Sequence, residues 1–360
     1  MKSVIRNFAP SWPSVVMGTG IVPIALTFCE RFVPGIALVA IVFFWLSVVL
    51  FIAVFGLSMT RLLTAMPAIR DDLLHPVAGN FFSTLPIAAM VLAIDFMQIG
   101  TRVMHSHLAH AVALWLFVAG TAGIHMLGLL ASAIMFDSKE VKLGHATFGW
   151  LIPPVSQLII PVVGLDLSIH FASDPFTTTA ASTLFIVSMV SLGIGMMLFM
   201  FVGPNVYHRY LYHEMPGAKM APTVMIGLSP TAILTIILVK MVALAGATGS
   251  PWPNPGFVAA AKVIGIAAWG FSLWWFALAA ILLIGHLKAA TVNFALSWWA
   301  LSFPVGALAV STGALNKLLK LPALDAMTVA LTVVLLVVWL FVAYGTIKIV
   351  ANGSAFEKHE

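Results

Sequence analysis

The sequence predicts an all-α integral membrane protein with ten transmembrane helices, on three observations. Of 360 residues, 61% are hydrophobic and only 8% are charged, against roughly 25% charged in a soluble domain. At ~20 residues per crossing of a hydrocarbon core ~30 Å thick, about 220 apolar residues suffice for ten or eleven spans. The basic residues divide unequally between alternate connectors, as the two sides of a membrane require. The same composition excludes a soluble globular domain, a disordered chain and a disulfide scaffold. The single cysteine, Cys29, can form neither an intrachain disulfide nor a thiolate metal site. The net charge is +5, but the basic residues are scattered, so there is no footprint for nucleic acid.

Uncharged apolar runs bounded by charge or by Gly/Pro turns place the helices at 13–29, 36–59, 80–99, 108–136, 145–165, 179–205, 221–246, 257–285, 292–315 and 325–350. The first run follows two prolines and stops at Cys29-Glu30-Arg31 without a small-x-small cleavage site, so it is not read as a signal peptide. The connectors are short, and residues 1–360 are expected to form a single membrane domain. With the N-terminus inside, Lys2, Arg6, Arg61, Arg70, Lys139, Lys142, Arg209, Lys219, Lys288, Lys348 and Lys358 are cytoplasmic, whereas only Arg31, Arg102, Lys317 and Lys320 are outside. Eleven against four is a strong positive-inside bias, and it implies an even number of spans with both termini cytoplasmic in the inner (plasma) membrane.

Proline refines the architecture. Pro23 falls in helix one, Pro86 in three, Pro153, Pro154 and Pro161 in five, Pro230 in seven and Pro304 in nine, whereas the even helices have clean interiors and Pro204 marks the inner end of helix six. An interior proline deletes a backbone hydrogen bond and kinks the helix. In lipid the freed carbonyl must be satisfied by protein or by water in a cavity. Five two-helix hairpins are therefore expected, with kinked odd helices around a central pore and straight even helices outside. Gly18-Thr19-Gly20 in helix one allows close packing or a wide lumen.

Only Asp95 is a carboxylate inside a predicted span; the other eleven fall in loops, tails or helix ends. An ion-driven carrier usually keeps an intramembrane carboxylate near the midplane, and a cation channel needs acidic rings. What remains is a path compatible with anions, to which Lys240 and Lys262 would add attraction unless they snorkel to the headgroups. His105, His107 and His110 read as an interfacial cluster rather than a metal site. His125 is the only mid-span histidine and reads as a core residue, since bis-histidine haem ligation needs facing pairs. Neither a P-loop, H-E-x-x-H, G-x-S-x-G nor dinucleotide fingerprint is present, so neither an enzyme nor a cofactor is expected.

An ordered set of segments resembles the tellurite-resistance/dicarboxylate transporter family, which includes TehA, fungal malate and sulfite transporters and the plant guard-cell slow anion channel. The segments are Trp12 to Gly20, His75-Pro76 with Phe81 to Pro86, Gly144-His145 through Pro153-Pro154, Gly227-Leu228-Ser229-Pro230, and Trp298 to Pro304. The resemblance implies ten helices in five hairpins, a homotrimer with one pore per subunit, and a phenylalanine gate whose matching position is Phe303. With about a dozen residues before helix one and about ten after helix ten, gating by long phosphorylated tails of the plant-channel kind is not expected. Phe303 precedes Pro304, where helix nine is expected to bend and aim the ring inward. The candidate pore residues are thus Phe303 as gate, with Gly18, Gly20, Pro23, Pro86, Pro153, Pro154, Gly227, Pro230 and Pro304 at kinks or in the lining. The expected activity is passage of small anions or a C4-dicarboxylate such as malate, with tellurite or sulfite export also open. The alternatives are a proton-coupled dicarboxylate carrier using His145 or Asp95, and a membrane-embedded enzyme or haem protein.

Overall fold

A computed structural model describes residues 2–138, 141–172, 178–248, 255–289 and 294–357, and every regular element among them is helical. The long helices are α1 (Pro13–Thr27), α2 (Ile36–Thr64), α3 (Thr84–Asp95), α4 (Ser106–Asp137), α5 (Ile152–Ala172), α6 (Thr178–Tyr212), α7 (Ser229–Thr248), α8 (Pro255–Ala289), α9 (Ser302–Leu319) and α10 (Pro322–Ala351). A π-turn, Phe96–Gly100, and a last turn, Thr101–Val103, extend α3. Among the described residues, nine helical segments are long and apolar enough to cross a membrane. α1 is shorter, at about 22 Å for fifteen residues, and is flanked by turns on both sides.

Burial separates the helices into two kinds. Every residue of α1 from Pro13 to Leu26 is buried. In the apolar 18-residue stretch of the segments containing α3, α5, α7 and α9, 78%, 94%, 61% and 94% of residues are buried, whereas in those of α2, α4, α6, α8 and α10 only 17–28% are. The exposed helices show Leu38, Val49, Trp115, Phe201, Ile281 and Val337 at the surface. Apolar area on that scale needs lipid or protein to cover it. Each exposed helix packs on the buried helix before it in sequence. The buried helices also touch one another, α1 on α3, α3 on α5, α5 on α7, α7 on α9 and α9 on α1.

The prolines act differently from expectation. Four buried helices begin with a 3₁₀ lead-in: Ala78–Ser83 before α3, Phe148–Leu151 before α5, Ala221–Leu228 before α7 and Leu296–Ala300 before α9. Pro86, Pro153, Pro154, Pro230 and Pro304 all stand in the first turn of the α-helix that follows. The first turn of an α-helix tolerates the missing N–H best, and proline's fixed φ suits the start of the helix. These prolines mark the change from 3₁₀ to α rather than a kink. Pro23 and Pro161 do lie inside their helices.

Two boundaries also move. α6 runs through Pro204 to Tyr212, so this proline is interior to an exposed helix. α5 runs to Ala172, which brings Asp166 into a membrane-length helix instead of a connector. Lys139, Glu140, Asp174, Lys358 and Glu360, all assigned to connectors or tails, lie outside the described residues.

Candidate functional site

Side chains on the five buried helices repeat at alternating three- and four-residue steps and face common cavities. On α1 these are Ser14, Met17, Ile21 and Ile24, followed by Phe28; on α5, Ile152, Val155, Ile159, Val162, Asp166 and Ile169. On α7 they are Ser229, Ile233, Ile236, Lys240 and Ala243; on α9, Phe303, Ala307, Val310, Ala314 and Lys317. The α3 segment adds Phe81, Thr84, Ile87, Ile94 and Gln98. Steps of three and four keep side chains on one helix face, so five helices each turn one stripe to the same space.

That space is in three parts. A small cavity of about 40 Å³ lies among the 3₁₀ lead-ins, with Ser14, Thr84, Ser229 and Ser297 in its wall. A cavity of about 200 Å³ follows, lined mainly by isoleucine, valine and alanine. A wide vestibule of about 1160 Å³ lies at the opposite end from the lead-ins. None of the side chains lining the first two comes from an exposed helix, among the described residues. Phe303 lines both of these cavities and is 5% exposed. It is the second residue of α9 and already helical, so helical phase, continued by Ala307 and Val310, aims the ring, not a bend before Pro304. The small Ala307 and Ala314 leave the space above it open.

Charge gathers where the 200 Å³ cavity meets the vestibule. Lys240 on α7 donates to the Asp166 carboxylate on α5, forming an ion pair inside the helical body. Lys240 is therefore neither a snorkelling lysine nor an isolated positive charge. Lys317 on α9 lies within electrostatic reach of both partners and places its Nζ over the Phe28 ring, 4.8 Å from the centroid. In the vestibule, Arg31 pairs with Asp325 and Arg102 with Glu30. His110 stacks on His170, with ring centroids 3.8 Å apart. Lys262 is half-buried on α8 and lines none of these three cavities.

The glycines serve packing. A Cβ on Gly18 would fall 2.5 Å from the Trp299 ring, on Gly20 2.8 Å from Val91, and on Gly227 2.4 Å from Trp275 Nε1. Trp299 is held by donation to Thr346 Oγ1 and Trp275 by donation to the Val224 carbonyl. Pro304 shares the small cavity with Phe303; Pro23, Pro86, Pro153, Pro154 and Pro230 line none of the three cavities. Asp95 is fully buried but outside the cavity wall, turned toward Gly20 and Ser47, with neither carboxylate oxygen hydrogen-bonded. His145 is exposed beside Lys142, whose backbone N–H donates to His145 Nδ1.

A membrane-embedded helical body with a charged vestibule over an apolar interior has the construction of a membrane transport protein. Comparison with known sequences is more specific: the family model described as SLAC1, voltage-dependent anion channel, matches residues 7–347, and the chain belongs to this family. Two uncharacterized transporters of Methanocaldococcus jannaschii are each 29% identical, over 99% of this chain and 97–99% of theirs. The sulfite efflux pump SSU1 of Arthroderma otae is 25% identical over 94% of this chain and 89% of its own.

Proposed function

We propose that the protein is an anion channel or facilitator whose path runs along the axis of α1, α3, α5, α7 and α9 and is closed by Phe303. The carrying observation is that one phenylalanine forms a wall of both inner cavities while five helices turn side-chain stripes toward them. Ten crossings in five hairpins, with the buried helices as pore wall and the exposed helices as outer ring, are supported by the burial contrast and the cycle of contacts from α1 back to α1. The basic asymmetry supports a cytoplasmic position for both termini and for the 3₁₀ lead-ins, leaving the vestibule outside. The family resemblance supports a homotrimer in the plasma membrane.

Small inorganic oxyanions are the first candidates for cargo, with sulfite favoured by the named fungal relatives. Malate and tellurite remain within the same reading. A buried phenyl ring in a narrow lumen blocks ions by bulk and by excluding water. Proteoliposomes carrying Phe303→Ala should pass chloride, nitrate or sulfite at least tenfold faster than wild type, since dewetting no longer closes the lumen. Unchanged flux through a stably folded variant would remove Phe303 from the gate. A proton-coupled carrier using Asp95 has less support, because that carboxylate faces α1 and α2 instead of the cavities. Strict proton uptake with malate, abolished by Asp95→Asn, would reverse this preference.

A further inference from the structure

Phe28, Gln98, Asp166, Ile169 and Lys317 line both the 200 Å³ cavity and the vestibule, so together they form the collar between the two. Three groups in or against the collar are formally charged. Lys240 and Asp166 are paired, and Lys317 stands beside them on the neighbouring helix, leaving a net charge of +1. Gln98 brings a carboxamide to the same ring from the π-turn Phe96–Gly100, the kind of local widening that recurs at functional sites. Below the collar the wall offers mainly isoleucine, valine and alanine.

We propose that this collar is an anion-binding site specific for small monovalent anions, with Lys317 as the binding charge and the Asp166–Lys240 pair setting the total. The assignment rests on the anion-pathway reading above and adds a class of ligand to it. A monoanion at a +1 collar makes the group neutral before it enters the apolar cavity. A dianion leaves one uncompensated charge there, and an uncompensated charge in apolar surroundings is strongly disfavoured. Asp166 therefore acts as a counterweight: without it the collar carries two positive charges and accepts dianions more readily. For an acid that ionises twice, the singly charged form is the species captured.

The test varies collar charge one unit at a time and reads binding and transport separately. Wild type, Lys317→Gln, Lys317→Arg, Asp166→Asn and the double variant Lys317→Gln/Asp166→Asn are purified in detergent. Nitrate- and sulfate-dependent shifts in unfolding temperature are measured, followed by flux of the same ions in proteoliposomes at constant ionic strength. Lys317→Gln should weaken nitrate binding and flux roughly tenfold, the scale of losing one nearby unit charge in a partly solvated site. Lys317→Arg should retain both. Asp166→Asn should raise sulfate relative to nitrate severalfold, and the double variant, again at +1, should return toward wild type. Equal nitrate binding and flux in wild type and a folded Lys317→Gln variant would overturn the collar while leaving the pathway reading intact. So would charge variants that leave the sulfate-to-nitrate ratio fixed. Nitrate binding that needs Lys317, without flux of any anion, would leave the collar standing and overturn the pathway. Neither binding nor flux in the wild type would overturn both.

Discussion

A single side chain here is constrained by what stands opposite it more than by its own type. Gly227 faces an indole that cannot withdraw, because Trp275 Nε1 donates to the Val224 carbonyl at 2.9 Å. Gly227→Ala would set a methyl 2.4 Å from that nitrogen. Overpacking of this kind typically costs 1–3 kcal/mol, so unfolding in detergent should occur at a visibly lower temperature; an unchanged transition would mean that the lead-in yields freely. Residue-level legibility in the sequence was uneven for a physical reason. Phe303 was accessible through the resemblance and its proline neighbour, although helical phase is what aims it. The sequence singles out Lys240 but not its partner, because Asp166 reads as the charge that ends a helix. A charge marks a boundary only when water solvates it, and Asp166 is compensated by Lys240 within the helical body. Gln98 gave no signal, since a π-turn has no distinctive residue pattern.

At the scale of elements, the helices were legible because uncharged apolar runs admit little else, and most predicted ends fall within a few residues of the observed ones. The 3₁₀ lead-ins were not legible, because three- and four-residue apolar spacings coexist in a segment that is apolar on all sides. They alter the meaning of the prolines. Pro304 stands third in α9, within the first turn, where a missing N–H is best tolerated. Pro304→Ala should therefore change stability by less than about 1 kcal/mol, mainly through the unfolded chain. Equilibrium unfolding of the two proteins in the same detergent checks this. A loss of several kcal/mol would show that the proline fixes more than the start of the helix. The lead-ins are also tied crosswise: Thr84 Oγ1 donates to the Pro10 carbonyl, Trp150 Nε1 to Pro76 and Ser297 Oγ to Lys219. These bonds tie the lead-in ends of the helices to neighbouring loops at one end of the body.

For the whole molecule, the orientation proposed from the basic residues can be read chemically. Ser106, at the start of α4, is exposed on the vestibule end, and Glu214, just beyond α6, is exposed at the lead-in end. Ser106→Cys in a Cys29→Ser background should react with an impermeant thiol reagent applied to intact cells. Glu214→Cys should react only after the membrane is opened. The reverse pattern would invert the protein. Architecture at this scale was the most legible of all, since composition alone demands a membrane. Most interior-run prolines do fall in the helices that are buried, although Pro204 lies inside an exposed helix and most of the others start helices instead of kinking them.

The unequal sizes of the three spaces have an electrical consequence. A vestibule of about 1160 Å³ filled with electrolyte is nearly equipotential with the bath, whereas the space beside Phe303 narrows to about 40 Å³. On the proposed pathway, most of an applied membrane potential, worth about 2.3 kcal/mol per elementary charge per 100 mV, drops inward of the vestibule, across the apolar cavity and the stretch around the phenyl ring. An ion resting beside Lys317 has crossed almost none of it. Block by a bulky impermeant anion added on the vestibule side should accordingly depend only weakly on voltage. Conduction along the proposed pathway should sense nearly the full field over that narrow stretch, which would make a thick protein act as a thin insulator.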